Sequence, residues 1–233
     1  MSGPLLELRG LEAGFGRRSV LRGVDLSLAA GETLVIAGPN GSGKTTLLKT
    51  AAGIIRPLSG KVFVEGRDGG LLSKKEWALR RAYIFQAAFP SWPFTVYETV
   101  SQGRHFRKGE GGGKDAVERA VAAAGLEGFE DRPVTELSGG EYQRTLVARA
   151  MAQEAKILIL DEPCASLDPG YRVMVMDLLG KMTGEGAAVM ISLHDLDLAV
   201  RYADRAVLLY GGTVHASGAP GDIFGEGNLT GIF

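Results

Sequence analysis

TLVIAGPNGSGKT, residues 33–45, decides the fold class of this 233-residue chain. TLVIAG is an apolar run of strand length that closes on a glycine-rich turn, and a helix is expected from about Lys44 to Ala52. GPNGSGKT (38–45) has the spacing of a phosphate-binding loop and lies where such a loop works, between a strand and a helix. Successive backbone N–H groups of Gly41, Gly43 and Lys44 can form a nest around phosphate oxygens, reinforced by the positive end of the helix. Lys44 would reach the outer phosphates and Thr45 would ligate a magnesium ion. The candidate binding residues are therefore Gly38, Pro39, Asn40, Gly41, Ser42, Gly43, Lys44, Thr45 and Thr46.

Outward from this loop, ILIL (157–160) and AAVMISL (187–193) are short apolar runs closed by polar residues, as expected of strands buried on both faces of a parallel sheet. Helical patterns at 141–153, 171–182 and 195–203 separate them, and the alternation indicates an α/β fold. The first thirty residues and KVFVEG (61–66) read instead as an antiparallel β patch beside that core. Between Gln86 and Lys156 no strand pattern occurs, so 87–155 is expected to be a helical subdomain inserted between core segments 1–86 and 156–233 of a single domain. KGEGGGK (108–114) reads as a surface linker.

Two further stretches carry chemistry. ILILDE (157–162) sets Asp161 and Glu162 at the carboxyl end of a buried strand, the edge at which ligands of open α/β sheets bind. Asp161 is the candidate for orienting a metal ion and Glu162 for polarising an attacking water. In LSGGEYQR (137–144), Ser138 and Glu141 fit a capping box that begins a helix. Two adjacent glycines are entropically unfavourable there, and they leave backbone N–H groups open to close approach.

Composition narrows the classes. The chain is 45% hydrophobic and 23% charged with a formal net charge of -1, which argues against nucleic-acid binding through a bulk positive field. One cysteine, Cys164, permits no internal disulfide, and MSGPLLELRG lacks the apolar core of a secretion signal; both favour the cytoplasm. No run reaches the roughly 18 apolar residues that a membrane span requires.

Taken in order, GPNGSGKT, Gln86 in AYIFQ, LSGGEYQR, ILILDEP, SLD (166–168) and His194 in SLHD resemble the ATP-binding subunits of ABC transporters almost end to end. The resemblance implies a P-loop ATPase that binds ATP and Mg²⁺, with a mostly parallel core sheet, an antiparallel β patch and an inserted helical subdomain. It implies that two copies of the chain sandwich two ATP molecules, so that Ser138, Gly139 and Gly140 close over the γ-phosphate held by Lys44 of the other copy. Gln86 would sense the metal or the attacking water, His194 would bond the γ-phosphate beside Glu162, and Asp168 would cross the dimer. Phe15 stands where the family usually stacks a tyrosine on adenine, and Cys164 stands where it has a small residue, read as an inert filler. The implied partners are integral membrane permease subunits at the cytoplasmic face and, indirectly, a substrate-binding protein, with no nucleic acid.

TVYETVSQGRH (95–105), EWALRRAYIFQ (76–86) and the segment 194–220 are similar to ATPases of importers for ferric siderophores, haem and cobalamin, although the proline usual after GR is absent. Alternatives are a zinc, manganese or other small-solute transporter, or a soluble ABC ATPase such as one serving iron–sulfur assembly. Finally, AAFPSWPFTVY (87–97) packs Phe89, Trp92, Phe94 and Tyr97 beside Gln86 and is read as a docking surface for a membrane subunit.

Overall fold

The computed structural model describes residues 3–16, 18–85, 92–107, 109–165 and 167–225. A six-stranded sheet forms the centre. It contains β3 (Thr33–Ala37), β6 (Arg81–Ile84), β7 (Ile157–Asp161), β8 (Ala188–Ser192), β9 (Arg205–Tyr210) and β10 (Thr213–Gly218), in the order β10-β9-β3-β8-β7-β6. All pairings are parallel except that of β9 with β10. Every residue of β3, β7 and β8 is buried, so these strands are apolar along their whole length because both faces are covered.

One face packs on α1 (Lys44–Ala51) and on a second, antiparallel sheet. That sheet is built from β1 (Leu6–Phe15), β2 (Arg18–Leu28), β4 (Ser59–Val64) and β5 (Arg67–Asp68), in the order β2-β1-β4-β5. Leu34 and Ile36 of β3 meet Leu47 and Leu48 of α1 and Leu8, Leu21 and Val64 of the second sheet in this core. The opposite face, with Val35, Leu158 and Ile191, is covered by α5 (Gly139–Ala152), α6 (Pro169–Gly184) and α7 (Leu196–Tyr202). The two faces of one strand thus serve two cores, as a two-residue side-chain period requires.

The sequence reading is recovered in β3, β7, β8, α1 and α5–α7 and in the antiparallel patch. It assigns no strand to β6, β9 or β10, nor a helix to α2 (Lys74–Arg80). Between residues 92 and 155 the described residues contain no strand, only an isolated bridge between Thr95 and Pro133. There α3 (Val96–Ser101), α4 (Gly113–Ala123) and the α5 flank share a separate cluster of Val96, Val100, Val117, Val121, Leu126 and Ala148. The expected linker 108–114 is shorter than read, since Gly113 and Lys114 already begin α4. A four-residue helix, α8 (Pro220–Ile223), follows β10. No helix among the described residues is long and apolar enough to cross a membrane.

Candidate functional site

The loop from β3 to α1 is shaped by glycines with backbone conformations that side chains rarely adopt. Gly38 has φ +148°, and a Cβ there would lie 2.2 Å from the carbonyl oxygen of Leu209 on β9. Gly43, the residue before α1, has φ +108°, and a Cβ there would lie 2.8 Å from Leu21 Cδ2. A side chain at either place would strain the backbone, and one at Gly38 would also push the loop off β9. No side chain caps α1, so its first N–H groups remain available.

Lys44 opens α1 and is 6% exposed. Its Nζ donates to the carbonyls of Gly38 at 2.7 Å and Pro39 at 3.2 Å, so the ammonium folds back on its own loop. Burial pulls its pKa below the ordinary lysine value, against the opposing pull of Glu162 and Asp161. Ser42 Oγ is buried with no hydrogen-bond partner. An open cleft of about 520 Å³ lies in front, lined by Asn40, Gly41, Lys44, Thr45, Glu162 and His194 among others.

Asp161 ends β7 and is 2% exposed; its register partner on β8 is Ser192. Ser192 Oγ donates to Asp161 Oδ1 at 2.9 Å and accepts from the Glu162 N–H at 2.9 Å. This hydroxyl holds both acids in place. The sequence reading misses it, and its only signal is a polar residue inside the apolar run 187–193. Glu162 has φ +51°, an uncommon conformation for a residue with a side chain. Its Oε1 lies 2.6 Å from His194 Nε2.

The signature turn is built differently. Ser138 Oγ accepts from the Glu141 N–H at 3.3 Å, and Glu141 Oε2 accepts from the Ser138 N–H at 2.7 Å, the expected capping box. These hydrogen bonds hold the Glu141 carboxyl below its ordinary pKa. Ser138 and Gly139 are exposed and Gly140 is half-buried. None of the three lines the cleft of Lys44.

Phe15 ends β1 and is 61% exposed. Asp168 is the exposed residue before α6 and makes no side-chain cap bond. Cys164 is buried, and burial pushes its thiol up to about 12, consistent with an unreactive filler. Gln86 lies outside the described residues, as does Phe89. Of the other aromatics near them, Trp92 and Phe94 are exposed, whereas Tyr97 packs against the helical cluster.

A glycine loop with a buried lysine, beside a strand that ends in two carboxylates, defines the nucleotide site of a P-loop ATPase. The chain belongs to the ABC transporter family, whose sequence profile matches residues 21–165. The hemin import ATP-binding protein HmuV of Streptomyces coelicolor is 43% identical over 227 residues, 96% of this chain and 81% of the relative. The cobalamin import ATP-binding protein BtuD of Halobacterium salinarum is 40% identical over 232 residues, 98% of this chain but 58% of that longer protein. A solved dimeric ATP-binding cassette in a post-hydrolysis state with ADP and Pi superimposes with a TM-score of 0.83 at 27% identity. That match covers 92% of this chain and 98% of the cassette.

Proposed function

We propose that this ATPase is the motor subunit of an importer for a metal chelate such as haem, cobalamin or a ferric siderophore. In this reading two copies sandwich two ATP molecules at the cytoplasmic face of a membrane, where they drive separate permease subunits fed by a substrate-binding protein. One observation carries it: Lys44, Glu162 and His194 share an open cleft, while Ser138, Gly139 and Gly140 lie at the surface outside its lining. Each chain then offers two half-sites that only a second copy can complete. The names of the haem and cobalamin relatives support the cargo class.

The donor set suits Mg²⁺. Thr45 and Asp161 are hard oxygen donors, Ser42 Oγ is a buried hydroxyl without a partner, and no cluster of three or more His, Cys, Asp or Glu side chains competes among the described residues. Thr45 and Asp161, with Gln86, would hold the ion. Mg²⁺ would neutralise charge on the phosphate oxygens. Lys44 exchanges the carbonyls of Gly38 and Pro39 for phosphate oxygens, and Phe15 offers its exposed ring to adenine. Glu162 would accept the proton of the attacking water, and His194 Nε2, which rests on Glu162 Oε1, would be released to the γ-phosphate when nucleotide is bound. Ser138 and the start of α5 in the second copy stabilise the charge that develops.

Trp92 and Phe94 are read as anchors for a membrane subunit, and Tyr97 as part of the insertion's own core. The test is co-purification from membranes followed by reconstitution with the recovered partner. A polytopic partner, and ATP hydrolysis stimulated by hemin or cobalamin through a binding protein, are expected. Undiminished hydrolysis in the soluble fraction with no membrane protein recovered would overturn the transport reading.

A further inference from the structure

The first turn of α6 carries two adjacent side chains that reach in different directions. Tyr171 lies beneath the guanidinium of Arg144 on α5, with Cζ 4.2 Å from the ring centroid. Arg144 is 4% exposed, and its Nη1 donates to the carbonyls of Ala124 at 3.0 Å and Gly125 at 2.7 Å, just past α4. Tyr171 thus gives this buried cation a contact on α6 in addition to its bonds on the insertion side. Arg172, the next residue, donates from Nε to the Leu167 carbonyl at 2.8 Å, and its Nη1 stands 3.5 Å from Asp195 Oδ2. Asp195 follows His194 and caps α7 by accepting from the Leu198 N–H at 3.1 Å. Arg172 lines a small cavity of about 190 Å³ together with Glu162, His194 and Asp195.

We propose that Tyr171 and Arg172 form a crossbar of positioning residues: Tyr171 sets the tilt of α5, and so the place of Ser138, while Arg172 fixes the loop that presents His194 to Glu162. The proposal rests on the reading that Ser138 serves the ATP on a second copy while Glu162 serves the ATP on its own. Under that reading the two ends of the crossbar belong to different ATP molecules, and α6, a rigid helix of 16 residues, joins them. Remove the ring and Arg144 loses its stack on α6 while its bonds to the carbonyls past α4 remain; Leu146, Val147 and Ala150 still seat α5 on the core, so the shift is small and confined to the first turns that carry Ser138. Remove the Arg172 guanidinium, and Asp195 and the Leu167 carbonyl lose their common partner, so the loop carrying His194 is no longer tied to the start of α6.

The test is steady-state ATP hydrolysis by the full chain carrying Tyr171→Leu, Tyr171→Phe or Arg172→Gln, each with a melting curve. Tyr171→Leu and Arg172→Gln should lower kcat by roughly tenfold with KM for ATP held within about twofold, because a small misplacement of reacting groups acts on rate and not on binding. Tyr171→Phe keeps the ring face under Arg144 and should restore the parent rate. A fall in melting temperature with kcat unchanged would make the contacts merely structural and overturn the crossbar, as would failure of Tyr171→Phe to restore the rate. If Ser138→Arg is inactive while Tyr171→Leu and Arg172→Gln turn over normally, the crossbar falls and the trans reading stands. If Ser138→Arg is itself active, the trans reading falls and takes the crossbar with it.

Discussion

The starts of α1 and α5 are both glycine-rich, yet they treat their backbone donors in opposite ways. Before α1, Gly43 adopts a left-handed conformation, no side chain caps the helix, and the donors face a cleft within the chain. Before α5, Ser138 and Glu141 satisfy each other's N–H groups, and the turn stands at the surface. An uncapped start beside a cleft leaves its N–H groups to water or a ligand, whereas a capped start satisfies part of them within the chain. Under the proposed sandwich, the first start would hold nucleotide in its own chain and the second would reach one held by another copy.

The sharpest way to break this division of labour is at Glu162. Glu162→Gln preserves shape and the contact with His194 but cannot accept a proton, so hydrolysis should fall by about 10²–10⁴-fold. ATP should still bind, and the variant should elute as an ATP-bound dimer on size exclusion. Near-normal turnover would remove Glu162 from the chemistry.

Next in size is complementation between the two helix starts. Ser138→Arg and Lys44→Ala chains should each be inactive alone, and mixing them should restore part of the activity through the one site assembled from undamaged parts. Cysteines placed in the loop before α1 and near Ser138 should crosslink between chains. A crosslink confined to single chains would refute the sandwich.

Stability should distinguish the same two starts more gently. Ser138→Ala removes a helix cap and should lower stability by about 1 kcal/mol. Ser42→Ala removes a buried hydroxyl that has no partner, so the nucleotide-free protein should melt no earlier than the parent while its ATP affinity drops. Equal losses of melting temperature in both variants would erase the contrast.

Smaller still is the effect of Trp92→Ala on the isolated chain. Trp92 is 72% exposed, so fold and basal hydrolysis should be retained while recovery with a membrane partner weakens. Unfolding of that variant would assign the ring to the core.

A last effect is absent at neutral pH, appears only in alkali and concerns Cys164. Its thiol is raised from 9.0 to about 12 by burial, so the neutral form is favoured by the fold. The stability this confers is complete below the unfolded value near pH 9 and is lost as pH rises toward 12. A Cys164→Ala chain should show a shallower alkaline decline in denaturant titrations, and a slope equal to the parent's would contradict the burial argument.

What can be read from the residues is whatever is local. The loop 38–45, the capping box at Ser138 and the fully buried strands β3, β7 and β8 each announce themselves within a short window, since spacing and apolar runs are local properties. Strand β10 alternates exposed and half-buried residues at a sheet edge, and β6 is four residues long, so neither carries a strong pattern. Ser192 is legible only through register, because it matters by standing opposite Asp161. Arg144 and Tyr171 are likewise ordinary residues in sequence, brought together by the packing of two helices. The family motifs name Lys44 as a phosphate ligand but give no sign that its ammonium rests on Gly38 and Pro39.

That resting contact makes the melting of the chain a reporter of nucleotide. The ammonium rests on two neutral carbonyls under the pull of Glu162 and Asp161, and a triphosphate would offer it charged oxygens in place of the carbonyls. Ligand present at a hundred times its dissociation constant adds about 2.7 kcal/mol to the native state. Melting temperature should therefore climb with ATP concentration in the full chain, and less so once Lys44 is replaced by Ala.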